Sequence, residues 1–140
     1  MKVKILFHHD DCRRWVGKSL DELYQMRQDM EKKANKKGDV EFYVAGPSGK
    51  PALQILFMEC GIYIYSARTM TTIGSIGDSH FTQENLEAIE SAADFVEQGL
   101  TYCSECDDWY VEYKRYSYAG AVCNGCYDPE KHRVPDTRGE

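Results

Sequence analysis

Apolar residues recur in two rhythms along the first hundred positions, and the switches between them mark out the elements. Val3-Lys4-Ile5-Leu6-Phe7 is a short β-prone run that breaks into His8-His9-Asp10-Asp11, predicting a first strand that ends in a polar loop. Ser19-Leu20-Asp21-Glu22 has the form of a capping box, and Leu20, Leu23, Met26, Met30 and Ala34 follow at helical intervals up to Lys36, Lys37 and Gly38. This spacing predicts an amphipathic helix with cations at its C-terminal end. Gln25, Asp29, Glu31, Lys32 and Lys33 form its solvated face.

Period two then returns. Val40-Glu41-Phe42-Tyr43-Val44 predicts a strand, and Gly46-Pro47-Ser48-Gly49 turns the chain. The most apolar stretch follows: Ala52 to Met58 and Ile62 to Tyr65 flank Glu59-Cys60-Gly61, predicting two antiparallel strands joined by a tight turn. The Thr- and Gly-rich residues after them, including Gly74-Ser75-Ile76-Gly77-Asp78, read as a flexible connection. Phe81 and Leu86 bracket Thr82 as a hydrophobic staple around a cap, and Leu86, Ile89, Ala93 and Val96 form one stripe ending at Gly99. The order β-α-β-β-β-α predicts an α+β fold, a small antiparallel or mixed sheet with two helices packed on it.

Beyond residue 100 the periodic signal gives way to chemistry. Cys103-Ser-Glu-Cys106 and Cys123-Asn-Gly-Cys126 stand sixteen residues apart, the spacing of a four-thiolate structural zinc site. Two residues between paired cysteines let both thiolates curl around one ion, and four thiolates leave no open position for water or substrate. One structural Zn2+ held by Cys103, Cys106, Cys123 and Cys126 is therefore expected, stabilising a C-terminal zinc finger. A pair of redox dithiols is the weaker reading, because neither pair opens a helix within a βαβ pattern. His132 reads as a surface residue rather than a substitute ligand, since four thiolates already complete the shell.

Length and charge place this finger in context. A chain of 140 residues suits one small α+β domain over 1–100 with a metal-stapled finger over 101–128 and a flexible polar tail over 129–140. The net charge is −6, and residues 1–100 and 101–140 each carry three more acids than bases. Neither part is a generally basic body, which disfavours nonspecific binding to a polyanion. No run approaches the roughly 20 apolar residues that span a bilayer, and the start lacks a signal-peptide core, so a cytoplasmic protein with no membrane partner is expected. In a reducing compartment the six cysteines read as one metal site plus two lone thiols, Cys12 and Cys60.

Three further motifs bear on function. Trp109, Tyr110, Tyr113, Lys114, Arg115 and Tyr116 interleave aromatics and cations between the two cysteine pairs, and these are the candidate binding residues. As a strand, the run would put Trp109, Val111 and Tyr113 on one face, with Tyr110, Lys114, Tyr116 and Tyr118 mostly on the other. Such a surface packs the finger and anchors a protein, or stacks on unpaired bases; Glu105, Asp107, Asp108 and Glu112 around the cations favour protein. His8-His9-Asp10-Asp11 offers ligand-type residues for a hydrolytic metal. Gly46 to Pro51 lacks the spacing and the Ser or Thr of a phosphate loop.

The segment from Tyr102 to Asp128 resembles the zinc-ribbon and treble-clef families, and is most similar to the four-cysteine finger of the DksA/TraR-type transcription regulators. Basic and aromatic residues also lie between two Cys-x-x-Cys pairs there. The match spans fewer than a fifth of the residues, leaves out the long coiled-coil hairpin of those regulators, and has Asp107 where a knuckle often carries Gly. The opening of the chain resembles the first motif of the DHH phosphoesterases, but a second Asp-His-His element is missing. The sequence thus points to a non-enzymatic, zinc-stabilised regulator or inhibitor acting by protein contact on a larger, nucleic-acid-processing machine. A viral effector presenting acidic residues in place of phosphates fits the same features. The alternatives are a nucleic-acid-binding module using the aromatic and basic finger, and a metal-dependent hydrolase using His8 to Asp11.

Overall fold

The computed structural model describes residues 2–34 and 39–132. Strand β1 (Val3–Phe7) runs parallel to β2 (Val40–Ala45), and β3 (Pro51–Met58), β4 (Gly61–Ser66) and β5 (Thr72–Ile76) follow antiparallel in the order β1-β2-β3-β4-β5. The protein is α+β, and its five-stranded sheet is mixed. Between β1 and β2 lie α1 (His9–Arg13) and α2 (Leu20–Ala34); α3 (Gln83–Glu97) follows β5.

The capping signals work as the sequence implies. Ser19 and Glu22 exchange backbone-to-side-chain hydrogen bonds of 3.0 and 3.1 Å at the start of α2. Thr82 and Asn85 do the same for α3 at 2.9 and 3.0 Å, and Gly99, with a positive φ, ends that helix. The predicted C-terminal residues Lys36, Lys37 and Gly38 of the first helix lie outside the described residues, as does the tail beyond His132.

Phe42, Ile55 and Ile64 stand in one cross-strand row, and Phe57, Ile62 and Ile76 in another. All six are buried, facing Leu23 of α2 and Leu86, Ile89, Ala92, Ala93 and Val96 of α3. The turn between β3 and β4 needs its glycine: a Cβ on Gly61 would sit 2.6 Å from the Ile76 carbonyl oxygen on β5.

Two segments depart from the sequence reading. His9–Arg13 is a short helix, not a loop, because the Asp11 carboxylate accepts the His8 N–H at 2.8 Å and closes a first turn. That turn delivers Trp15, which the apolar pattern left out, into the core at 2% exposure. The Thr- and Gly-rich connection contains strand β5, with Gly74 opposite Ile64 and Ser75 opposite Tyr63. Pairing with β4 carries Gly74 and Ser75, which interrupt the β-prone Thr72, Ile73 and Ile76.

The finger is built from two ribbons, β6 (Thr101–Cys103) with β7 (Asp108–Tyr110), and β8 (Lys114–Arg115) with β9 (Ala121–Val122). It sits against the α+β body. Trp109 packs on Phe95 of α3 with ring centroids 5.1 Å apart, and the Thr72 N–H donates to the Ala119 carbonyl at 2.7 Å. Arg68 donates to the Leu100 carbonyl at 3.2 Å and to Thr101 Oγ1 at 3.1 Å.

Candidate metal centre

Cys103 ends β6 and Cys106 lies in the turn before β7, while Cys123 and Cys126 follow β9. The Ser104 N–H donates to the Ala121 carbonyl at 3.2 Å, tying the two ribbons side by side and bringing the cysteine pairs face to face. The four Sγ atoms lie within 4.8 Å of one another. Tetrahedral zinc with Zn–S bonds of about 2.3 Å needs sulfurs about 3.8 Å apart, so a small closure suffices. The donor set suits one zinc ion. Cys103 and Cys123 are buried while Cys106 is exposed, so the ion would enter from the Cys106 side.

The electrostatics call for a cation. Burial opposes ionisation of Cys103, but the backbone N–H groups of Cys106, Cys123 and Glu105 directed at its sulfur outweigh this and bring it to about 7. Cys126 is pushed up to about 12, first by the Cys123 thiol, then by burial and the other two sulfurs. Tyr110 donates a hydrogen bond that pulls Cys106 down, yet burial and neighbouring thiols leave its value raised. Four thiolates at this spacing repel one another, and a divalent ion is the charge that lets all four form.

Around the ligands lies a supporting layer. The Tyr110 hydroxyl is 3.0 Å from Cys106 Sγ, and the sulfurs of Cys106 and Cys123 raise its own pKa, as expected of a donor to thiolate. Tyr110→Phe should therefore weaken zinc binding about 10- to 100-fold, measured by competition with a chromogenic chelator, without unfolding the zinc-saturated finger. Asp107 occupies the left-handed region at φ 58°, which explains why a knuckle often carries Gly there; its carboxylate accepts from the Tyr102 hydroxyl.

His132 is buried, at 3% exposure, so it is not the surface residue expected. Its ring stands 5.0 Å from that of Tyr116 and 6.1 Å from that of Tyr127. Nδ1 accepts the Asp128 N–H at 3.0 Å, and Nε2 faces Glu105 at 3.4 Å. The histidine thus clasps the chain after the second knuckle onto the first.

The proposed binding residues divide. Trp109 lies between Phe95 and Tyr102, and Tyr116 packs with Tyr110 and Tyr127 around Cys103, Val122 and Cys123. Arg115 donates to the carbonyls of Tyr118 and Thr69, both at 2.7 Å, the latter across to the body. Lys114 is exposed, with its ammonium 5.9 Å from the centre of the Tyr127 ring, and Tyr113 is half-buried. Among the described residues, the most exposed large apolar and aromatic side chains are two that the candidate set omitted: Val111 at 73% and Tyr118 at 92%.

Near the N-terminus, Asp11 is occupied as the α1 cap and His9 pairs through Nε2 with Glu90. Among the described residues, the four cysteines are the only three or more His, Cys, Asp or Glu side chains whose ligand atoms converge. No described helix is long and apolar enough to cross a membrane. No protein-family model matches the chain, and neither curated proteins nor solved structures yield a match.

Proposed function

We propose that the protein is a non-enzymatic binding protein whose zinc-stabilised finger contacts a partner protein, making it a small regulator or inhibitor of a larger, nucleic-acid-processing machine. The observation that carries this reading is the exposure of Val111 and Tyr118 on a finger whose ligand set leaves zinc no open coordination position. Val111 lines an open cleft with Tyr110, Glu112, Asn124 and Gly125 beside the second knuckle, and Glu112 accepts from Asn124 at 3.2 Å. An exposed apolar side chain in a polar-rimmed cleft is the kind of feature that seats a partner's side chain. The likeness of residues 102–128 to the DksA/TraR-type finger is in keeping with a nucleic-acid-processing machine as the partner class. A viral origin would fit an inhibitor of this size.

The nucleic-acid reading has less support, because the Arg115 guanidinium is already engaged with two backbone carbonyls and acidic residues flank Lys114. The hydrolase reading is weakened by the engagement of Asp11 and His9 described above.

The test compares proteins retained from host-cell lysate by the zinc-loaded chain and by a Val111→Asp, Tyr118→Ala double variant with equal zinc content. A partner depleted about tenfold or more from the variant is expected. Identical retained sets would sink the proposal.

A further inference from the structure

The chain beyond the second cysteine pair turns back and reaches the first. Between Asp128 and His132 it closes on itself: the His132 N–H donates to the Asp128 carbonyl at 2.7 Å, and the Asp128 N–H donates to His132 Nδ1 at 3.0 Å. The Asp128 carboxylate accepts the Glu130 N–H at 2.9 Å, which stiffens the same turn. A ring nitrogen that accepts carries no hydrogen, so the imidazole N–H is at Nε2. Tyr127, whose N–H donates to the Cys123 carbonyl at 3.1 Å, ties the turn directly to the second pair of ligands.

Glu105 is the residue this turn grips. Lys131 Nζ lies 3.1 Å from its Oε1, and His132 Nε2 lies 3.4 Å from its Oε2. The two contacts are unequal. Lys131 is mostly exposed, and an ion pair in water contributes little. His132 is sealed beneath Tyr116 and Tyr127, and among the described residues its Nε2 makes no other hydrogen bond, so this buried donor faces no acceptor at all if Glu105 moves away. Glu105 stands between the two ligands of the first pair, and its own N–H is directed at the Cys103 sulfur. Direct contacts thus run from a buried imidazole behind one knuckle to a metal ligand in the other.

We propose that the turn from Asp128 to His132 is a latch that controls how long the finger keeps its zinc, with His132 the positioning residue that acts through Glu105. This rests on the four cysteines holding zinc, and not on the identity of a partner. The thiolates of a four-ligand site let go one at a time, and a detached thiolate rebinds at a rate set by its effective concentration near the ion. Knuckles that stay together recapture it. The Ser104 N–H bond to the Ala121 carbonyl is one tie between them, and the Glu105–His132 contact is a second. Groups that orient metal ligands from outside typically change metal affinity about 10- to 100-fold.

The test is the rate of zinc transfer from the zinc-loaded full chain to the chromogenic chelator 4-(2-pyridylazo)resorcinol, at concentrations where the rate no longer depends on chelator. His132→Phe keeps a ring against Tyr116 and Tyr127 but removes both nitrogen contacts, so a role in packing alone leaves the rate unmoved. Glu105→Ala removes the carboxylate and keeps the N–H on Cys103. Each variant, starting with one zinc per chain, should release it about tenfold faster. The double variant should be no faster than either single one, because the two residues form one contact. Lys131→Ala should change the rate by less than about twofold. Release from His132→Phe at the parent rate, or a double variant whose effect is the product of the two single ones, would overturn the latch and leave the zinc site standing. A chain that takes up no zinc would sink the zinc site itself, and the latch with it.

Discussion

Removing the zinc, by chelation or by Cys123→Ser, should unfold residues 101–128 and leave the α+β body with its own cooperative transition. The finger has little else to hold it: its buried cluster is Cys103, Val122 and Cys123, fringed by Tyr110, Tyr116, Cys126 and Tyr127. A core that small cannot offset the chain entropy of ordering the segment. Structural zinc contributes about 10–16 kcal/mol of apparent binding energy in finger peptides, so its loss decides the outcome. The body differs, because every buried residue of its main cluster lies between Phe7 and Val96. It loses the packing of Trp109 on Phe95 and the Arg115 bond to Thr69, which should lower its melting temperature by several degrees. Acid acts in the same direction as chelation. The ligands bind zinc as thiolates, so apparent affinity falls as pH falls and rises as pH rises. Amide NMR spectra before and after chelation provide the check: finger resonances should collapse to random-coil positions while those of the sheet persist. Collapse of the whole spectrum would mean that the body depends on the finger and that a division near residue 100 fails.

Phe57→Ala should cost the body about 3–5 kcal/mol, a large share of the roughly 5–15 kcal/mol that stabilises a typical domain. Phe57 is fully buried and meets three aromatic rings edge-on: Phe7 at 6.0 Å, Trp15 at 5.4 Å and Phe42 at 5.7 Å. Those rings come from β1, from the link after α1 and from β2, so one deletion loosens three elements at once. The surrounding backbone is hydrogen-bonded into the sheet and closes the void only in part. Urea unfolding should show a lowered midpoint with an unchanged slope and full zinc occupancy. The neighbouring Leu56 is a control. It points to the opposite face and is 37% exposed, so Leu56→Ala should cost no more than about 1 kcal/mol. Similar costs at both positions would show that the aromatic cluster is not the body's main core.

The elements that were legible in the sequence have local causes. Val3–Phe7 and the hairpin of β3 and β4 follow from period two, and α2 and α3 from period 3.6 with caps at Ser19 and Thr82. Each needs only residues within a few positions of one another. The segments that were missed need distant ones. Residues Thr72–Ile76 become a strand because β4 offers an unpaired edge, and the turn at His9–Arg13 anchors Trp15 among Phe7, Phe57 and Phe81.

The same division runs through the sites. Two Cys-x-x-Cys pairs announce a metal centre because each knuckle is a local structure, and the four sulfurs do converge. Trp109, Arg115 and Tyr116 looked alike as aromatic and basic residues. Only the seating of the finger on α3 and the loop at Thr69 assigns Trp109 and Arg115 to packing and leaves Val111 and Tyr118 facing outward. The pairing of His9 with Glu90 is the extreme case, since the two are far apart in the chain and meet only when α3 packs beside α1. By itself, the sequence determined the α+β class, the capped helices and the zinc ligands, all products of short-range spacing. Tertiary structure alone decided which side chains are exposed and which distant charges become neighbours, because burial and electrostatic pairing depend on distance in space, which spacing along a folded chain does not report.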